Sequence, residues 1–318
     1  MFLRVAVRSL LSRKGSAIMT LMAISVAIFV LLGIEQIRQQ ARDSFASTVS
    51  GVDLIVGAKT GSLNLLLYSV FRIGSPTDNI SWQAYRDIAD SDDVAWAIPI
   101  SLGDSHEGYR VVGTTQAFFE HFSFGKNRNL AFFEGEAFER TFDAVLGSEV
   151  ASALGYSVGT EIILAHGLAS TSFTKHDNQP FVVVGILAPT GTPVDQTIHV
   201  RLEGIEAMHA GGSTVATGAF TPANVPDTNF SEPESITAFM LGLKSRMSTF
   251  NVQRQINQFA GEPLMAILPG VALSELWQMM SMFENVLRLV SALVLLAAVL
   301  GMGAVLLASI RERRQEIH

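Results

Sequence analysis

The side chains of this sequence that are best suited to chemistry are histidines and nearby carboxylates. His166, His176 and Asp177 fall in one polar stretch, and His106 and His121 lie farther upstream. Imidazole and carboxylate groups are common zinc ligands. Their spacing matches no compact metal motif, however, and the chain contains no cysteine that could complete one. We therefore interpret these histidines as scattered surface or loop residues, and keep a metal site formed by His166, His176 and Asp177 as an alternative.

No catalytic motif is recognisable in the sequence. The chain lacks the GxxxxGK(S/T) loop that binds nucleotide phosphates, and it lacks the GxSxG and HExxH patterns of common hydrolases. Residues 57–61 (GAKTG) have the wrong spacing for phosphate binding and are typical of a turn after a strand. The sequence therefore predicts no catalytic residue, no bound cofactor and a function other than catalysis.

Two long apolar segments decide the class of protein. Residues 15–34 and 289–310 contain no charged side chain, and as helices each would span about 30 Å, the thickness of the hydrocarbon core of a bilayer. Basic residues flank them on the sides nearer the chain termini: Arg4, Arg8, Arg13 and Lys14 before the first, and Arg311, Arg313 and Arg314 after the second. Because basic flanks stay in the cytoplasm, we predict two transmembrane helices with both termini in the cytoplasm.

Each apolar segment has an alternative interpretation. The first could be a cleaved signal peptide, but its apolar run is unusually long for one, and residues 34–37 (IEQI) offer no small-residue cleavage site. The second could be the core helix of a soluble domain, but the basic run at 311–314 (RERR) that closes it is typical of a membrane flank. Both alternatives are disfavoured.

Charge is distributed unevenly along the chain. The formal net charge is −7, and the acidic excess lies between the two apolar segments while the flanks are basic. An acidic domain disfavours nucleic acid as a partner. Basic flanks are suited to the lipid headgroups of a membrane.

The sequence divides into seven segments. They are an amphipathic cytoplasmic helix (1–14), a transmembrane helix (15–34), a stalk helix (35–50), a core domain (51–270), a second stalk helix (271–288), a second transmembrane helix (289–310) and a cytoplasmic turn (311–318). The core domain alternates helix and strand patterns, which predicts a mixed α+β extracytoplasmic domain. Local signals include Ser81 as a helix N-cap and Gly155 as a C-cap. Residues 210–235, rich in glycine, threonine and proline, predict a long loop.

The second stalk segment carries a heptad-like apolar pattern. Leu273, Leu276, Met280, Phe283 and Leu287 recur at alternating spacings of three and four. No glycine or proline separates them from the second apolar segment, so one continuous helix is expected. The pattern predicts a seam that packs against residues 35–48, and ordinary packing against the core domain is the alternative.

Several stretches together resemble the MacB/FtsX-type ABC transporter permeases. They are the start of the chain at 3–11 (LRVAVRSLL), residues 143–155 (DAVLGSEVASALG) and 158–164 (VGTEIIL), the strand at 181–187 (FVVVGIL), residues 193–200 (PVDQTIHV) and the turn at 311–317 (RERRQEI). Each match is weak alone. In this order between two apolar segments, they identify the chain as similar to this family over nearly its whole length.

The resemblance implies a permease subunit in the inner membrane of a bacterium, with a MacB-type periplasmic core domain. Such a subunit pairs with a cytoplasmic ABC ATPase that binds the ATP, and it works as a homodimer or as a heterodimer with a second permease. It transmits mechanical motion to its periplasmic domain, for export or for handling of a lipoprotein, peptide or periplasmic partner. The resemblance assigns ATPase coupling to these residues: Arg4, Arg8, Arg311, Arg313, Arg314 and Glu316.

Permeases of this family have two further spans after the cytoplasmic turn. The sequence ends at His318, so we expect either a truncated chain or one piece of a divided permease. The competing hypothesis is a two-span membrane sensor with an extracytoplasmic ligand- or metal-binding domain, because topology alone fits it equally well. The motifs at 143–155, 181–187 and 311–317 favour the permease.

Overall fold

A computed structural model describes residues 14–48, 50–166, 180–210 and 232–315. The chain divides into two compact units. One is a domain formed by Ser44–Glu275, and the other, within Met1–Asp43 and Leu276–His318, contains two long helices in its described residues. The predicted loop at 210–235 lies mostly outside the described residues. The seven predicted segment boundaries stay predictions.

The helices and strands follow one another in this order. They are α1 (Lys14–Ser47), β1 (Leu54–Ala58), α2 (Ser62–Ser69), β2 (Ile80–Ser81), α3 (Trp82–Ala89), β3 (Val94–His106), β4 (Tyr109–Thr114), α4 (Ala117–His121), β5 (Ser123–Phe124), β6 (Arg128–Asn129), β7 (Phe132–Gly135), β8 (Asp143–Leu146), α5 (Ser148–Leu154), β9 (Glu161–Ile162), β10 (Ala165–His166), β11 (Phe181–Leu187), β12 (Thr197–Arg201), α6 (Leu202–Ala210), β13 (Ser235–Ile236), β14 (Ala238–Leu243), α7 (Thr249–Asn257), β15 (Leu264–Ile267) and α8 (Pro269–Gln315). Short 3₁₀ helices occupy Pro193–Gln196 and Arg246–Ser248.

A large mixed sheet organises the domain. Its main path runs β15-β1-β14-β3-β4-β12-β8-β11-β7, with β10 paired to β3 and β9 to β11. Most neighbours are antiparallel, but β12 is parallel to β4 and β11 is parallel to β8. The predicted mixed α and β architecture of the domain is therefore confirmed.

Strand β1 shows how the sheet is covered on both faces. All five of its residues are buried. Ile55 packs into one hydrophobic cluster, whereas Leu54 and Val56 pack into another. Side chains alternate between the two faces of a strand, so β1 is covered on both sides. An unbroken apolar run is the pattern expected of such a strand.

Two helix ends follow their sequence signals. The Ser81 hydroxyl accepts a hydrogen bond from the Ala84 backbone N–H at 3.2 Å, which caps α3. Gly155 ends α5 in the left-handed conformation, with φ of 68°. Both predicted caps are confirmed.

The sequence patterns missed α2 and β15. Residues 62–69 (SLNLLLYS) form an eight-residue helix with a nearly continuous apolar run, so they carry no clear helical period. Strand β15 is four residues long and follows a loop that contains Pro263. Short elements of this kind are fixed by their tertiary contacts, because neither length nor period distinguishes them.

Two glycines in the stretches that resemble the permease family are required for steric reasons. A Cβ on Gly147 would lie 2.3 Å from the Val194 carbonyl oxygen and 2.4 Å from that of Asp195. A Cβ on Gly185 would lie 2.3 Å from the Glu136 carbonyl oxygen. These neighbours are backbone atoms, which have little freedom to move away. Glycine at these positions permits close backbone approach inside the sheet.

The helix pair consists of α1 and most of α8, which are 34 and 47 residues long. Within the described residues, one helical stretch, Pro269–Gly301, is long and apolar enough to cross a bilayer. This stretch contains the predicted stalk at 271–288 and the first part of the apolar segment at 289–310. The continuous helix expected there is confirmed.

We predict that Gly147→Ala destabilises the domain. The new methyl group would meet two backbone carbonyls, so we expect a loss of about 2–3 kcal/mol, which corresponds to a fall in Tm of roughly 5–10 °C. Thermal unfolding of the purified full chain measures this. Gly103→Ala is the matched control, because no atom lies within 4 Å of its Cβ position. Equal Tm values for the two variants would contradict the steric explanation.

Candidate functional site in the helix pair

A groove between α1 and α8 combines an apolar wall with charged side chains. Its volume is about 530 Å³. Its lining residues are Leu31, Ile34, Glu35, Ile37, Arg38, Trp277, Met280, Glu284, Leu287, Arg288 and Ser291. The charged members lie just beyond the end of the uncharged run at 15–34 and just before the run at 289–310.

A second groove between the same helices is almost entirely apolar. Its volume is about 540 Å³, and its lining residues are Met19, Met22, Val26, Val30, Val290, Ser291 and Val294. All of them lie within the two apolar segments. Apolar contacts are not directional, so this part of the pair does not by itself fix the register of the helices.

An ion-pair network, which we call the stalk network, supplies a specific register. It consists of Glu35, Arg38, Glu284 and Arg288. Arg38 Nη1 donates to Glu284 Oε2 at 2.7 Å, and Arg38 Nη2 donates to Glu35 Oε1 at 2.7 Å. Arg288 Nη2 donates to Glu35 Oε2 at 3.2 Å. Each helix therefore gives one acid and one base, and two of the three bonds cross between the helices.

The stalk network shifts the titration of its members in the stabilising direction. The hydrogen bond from Arg288 holds the pKa of the Glu35 carboxyl below its ordinary value, although burial opposes the shift and Arg38 assists it. The hydrogen bond to Glu284 raises the pKa of the Arg38 guanidinium. Arg38 thus stays charged under all physiological conditions. The side chain of Arg38 is 25% exposed and that of Glu284 is 19% exposed, so their attraction is only partly screened by water.

The predicted stalk seam is divided among different environments. Leu273 is 7% exposed and packs in the core of the domain. Leu276 is partly buried, and Met280 and Leu287 line the charged groove. Phe283 is 72% exposed. The groove thus shares Met280 and Leu287 with the predicted seam, and its other lining residues on α8 are Trp277, Glu284, Arg288 and Ser291.

The stalk network was not among the sequence predictions. Its signal was available: each apolar run has an acid and a base at the end nearer the domain, four residues apart or fewer. Opposite charges at this spacing on two helices that must pair are typical of interhelical ion pairs. The heptad pattern predicts the interface from apolar residues alone, so it takes no account of charged side chains.

The predicted ATPase-coupling residues lie at the ends of the chain. The last turns of α8 contain Arg311, Arg313 and Arg314. For these residues the structure describes the backbone only. Arg4, Arg8 and Glu316 lie outside the described residues. Their role stays a prediction.

The histidines of the alternative metal site are not brought together by the described residues. His166 is in β10, while His176 and Asp177 lie outside the description. His106 has partners for both ring nitrogens: the Ile163 carbonyl at 2.7 Å and the Tyr156 hydroxyl at 3.0 Å. In the described ranges, no three histidine, aspartate or glutamate side chains are grouped as metal ligands would be. A metal site therefore stays an untested alternative.

Comparison with known proteins identifies the family. The sequence profile of the MacB-like periplasmic core domain matches residues 17–259. The chain belongs to this family. The resemblance inferred from the short motifs is confirmed, and the matched range extends over most of α1 and most of the domain.

Two of the solved structures that match this chain do so with low TM-scores. The periplasmic region of MacB from Actinobacillus actinomycetemcomitans has 7% sequence identity and a TM-score of 0.45, with 72% of this chain and 94% of that chain covered. The extracellular domain of the noncanonic ABC-type transporter YknZ from Gram-positive bacteria has 10% identity and a TM-score of 0.39, with 68% and 98% covered. No curated protein matches the sequence. The family assignment therefore rests on the sequence profile.

Membership of the MacB-like family has coarse functional consequences. It supports a general role as an ABC transporter permease, in a family whose domains are generally non-catalytic. It implies a membrane-embedded transporter with a periplasmic domain and an ATPase partner.

We predict that reversing one charge loosens the helix pair. Arg38→Glu would place three carboxylates together, so the population with a short interhelical distance should fall roughly two- to fivefold, as expected for a partly exposed ion pair. Double electron–electron resonance between labels on Ile37→Cys and Met280→Cys measures that distance. The chain has no cysteine of its own, so both labels are unique.

Two further variants control this experiment. Arg38→Glu combined with Glu284→Arg restores an opposite pair across the helices and should recover most of the short-distance population. Gln36→Glu also introduces a glutamate, at an exposed position on another side of α1, and should leave the distances unchanged. Loss of the short distance in Gln36→Glu, or none in Arg38→Glu, would refute a specific network.

We also predict that acid weakens the stalk network. Because the pKa of Glu35 is depressed below its ordinary 4.5, its contribution is complete above pH 4.5 and is lost as the pH falls through the lower value. The same labelled chain should keep its short-distance population at neutral pH and lose it only when the pH falls below the ordinary pKa of 4.5. In Glu35→Gln this part of the pH dependence should disappear. An identical acid response in both proteins would assign the change to another group.

Proposed function

We propose that this chain is a permease subunit that transmits motion between a cytoplasmic ATPase and its periplasmic core domain. The helices α1 and α8 cross the bacterial inner membrane, and both termini lie in the cytoplasm. ATP is bound and hydrolysed by the partner ATPase, and the chain itself is not catalytic. The cargo is a lipoprotein, peptide or other exported molecule, or a periplasmic partner on which the moving domain acts.

One observation carries this proposal: α8 is a single unbroken helix of 47 residues. At 1.5 Å per residue it is about 70 Å long. Its first turn contains Ala272 and Leu273, which are buried in the domain core, and its last turns contain the basic residues at 311–314. An element that is stiff and continuous from the core to a charged terminus is suited to mechanical transmission.

The topology of the domain supports the same function. Strand β1 is the first strand after α1, and β15 is the last strand before α8. They are antiparallel neighbours, with Ile55 opposite Ile267 and Ala58 opposite Leu264. The chain therefore enters and leaves the sheet at the same end, on adjacent strands. Movement of either helix would act on one hydrogen-bonded pair of strands.

Exposed apolar side chains on α8 support an oligomer. Met279, Met282, Phe283 and Val286 are between 56% and 72% exposed. They precede the uncharged run at 289–310, so lipid tails are not expected to cover them. Apolar surface of this kind commonly marks a contact with another protein. We propose that it faces a second permease subunit, either an identical copy or a related chain.

The cytoplasmic contact can be tested by co-purification. The full chain should retain an ABC ATPase encoded next to it in the genome. Because exposed ion pairs are individually weak, we expect the double variant Arg313→Glu with Arg314→Glu, rather than a single change, to reduce the retained ATPase at least tenfold. Arg254→Glu is the matched control, since Arg254 is an exposed basic residue on the domain helix α7. Undiminished ATPase binding by the double variant would refute the assignment of the coupling site.

A further inference from the structure

Two arginines of the domain converge on one turn. Arg72 follows α2, and its Nη1 donates to the Ser69 carbonyl oxygen. Arg110 is the second residue of β4, and its Nη2 donates to the carbonyl oxygen of Gly74, in the turn that follows Arg72. Both side chains are partly buried. The two guanidiniums therefore lie on the same short segment, although they are far apart in sequence.

Neither guanidinium has a carboxylate partner among the residues that the structure describes. The arginines that form ion pairs in these ranges are Arg38, Arg86, Arg201 and Arg288. Each guanidinium has five N–H donors, and for Arg72 and Arg110 one carbonyl contact each is recorded. Most of their N–H donors thus have no hydrogen-bond partner within the described ranges.

A buried histidine lies on the same face of the sheet. In the parallel pairing of β12 with β4, Thr197 is opposite Arg110 and His199 is opposite Val112. Residues two apart on a strand point to the same face, so His199 and Arg110 share a face about 7 Å apart along the strands. His199 is fully buried and stacks on Phe118 with a centroid distance of 4.7 Å. Neither of its ring nitrogens has a hydrogen-bond partner of normal geometry in the described part of the chain.

The pKa shifts of these three groups indicate positive charge that no nearby negative group offsets. Burial and the nearby Arg110 lower the pKa of Arg72, and burial lowers the pKa of Arg110. Burial and the charge of Arg72 lower the pKa of His199 to about 3, against a weaker opposing effect of the Val145 backbone. His199 is therefore neutral at pH 7. Two guanidiniums that repel each other, beside a histidine that cannot share the charge, form a region in which a bound anion would be stabilised.

A purely structural role explains only part of this arrangement. A basic side chain near the end of a helix can donate to its last carbonyls, as Arg72 does at the end of α2. One arginine would be sufficient for that purpose. A second arginine adds repulsion, and Arg72 also has a positive φ of 59°, a conformation that is unfavourable for a residue other than glycine. Costs of this kind are concentrated at functional sites.

We propose that Arg72 and Arg110 form a binding site for a phosphate-type oxyanion on the MacB-like domain. Planar guanidinium groups bind phosphate through paired N–H donors, and two of them match the double negative charge of hydrogen phosphate. The phosphate is either free in solution or part of a phospholipid headgroup. This site is independent of the ATPase contact proposed above.

Titration of the purified full chain with inorganic phosphate tests the site. Isothermal titration calorimetry in dilute buffer, in a detergent without phosphate, should detect binding that weakens as salt is added. Arg72→Gln and Arg110→Gln should each reduce the affinity at least tenfold, because each removes charge-assisted hydrogen bonds. Arg86→Gln is the control, since Arg86 already pairs with Glu232 at 2.9 Å. Absence of phosphate binding, or equal affinity in all variants, would overturn the proposal.

A second measurement needs no substitution. Phenylglyoxal modifies accessible guanidiniums, and mass spectrometry locates the products. Phosphate should protect Arg72 and Arg110 at concentrations that leave Arg86 and Arg254 reactive. No protection, or equal protection of all four arginines, would overturn the site even if the variants were unstable.

The source of the phosphate is decided by competition. Micelles that contain phosphatidylglycerol should give the same protection as inorganic phosphate if the ligand is a lipid headgroup, and micelles of neutral detergent alone should give none. Protection by inorganic phosphate without protection by the lipid would identify a soluble ligand. Either result supports the shared oxyanion chemistry.

Discussion

The antiparallel pairing of β1 with β15 is the constraint on which the rest of the domain depends. It joins the first and last strands of the domain at one side of the large sheet. The chain between β1 and β15 therefore starts and finishes at this pair of strands. Strand β15 is the edge strand of the sheet, but β1 is buried on both faces and three of the four residues of β15 are buried, so the pair belongs to the core. The termini of the domain are held by the hydrogen bonds and apolar contacts that stabilise its centre.

The helix pair depends on a different kind of interaction. Its apolar grooves allow several alignments, since leucine, valine and methionine pack against each other with little geometric preference. The stalk network permits few alignments, because the Arg38 guanidinium must contact the carboxylates of Glu35 and Glu284 simultaneously, each at an N–O distance of 2.7 Å. Ionic groups at helix interfaces are best attested as determinants of register rather than as sources of stability. This division of roles is consistent with a pair that is specific and still able to move.

Much of the fold could be predicted from the sequence, and the reasons are local. The strand at 181–187 is a β-branched run bounded by proline and by a turn, and α3 and α5 carry explicit caps. The short strands β5 to β7 and the helix α2 carry no such signals, because contacts distant in sequence determine them. The order of the strands in the sheet could not be predicted from the sequence. It depends on which strand faces pack into the same hydrophobic cluster, and these strands are distant in sequence.

The candidate sites divide in the same way. The family resemblance predicts a coupling role for residues at the chain ends, where local composition is distinctive. The stalk network and the Arg72–Arg110 site each join residues from distant parts of the sequence. Charged residues at such positions look like ordinary surface residues until the helices and strands that carry them are brought together.

Helix α8 must satisfy two packing requirements within one short stretch of sequence. Leu273 belongs to the domain core and Glu284 to the stalk network, and about three helical turns separate them. The two side chains therefore project from nearly the same side of the helix. Insertion of a single residue between them would rotate one by about 100° relative to the other. Length changes in this segment are accordingly expected to accumulate during evolution only in whole turns.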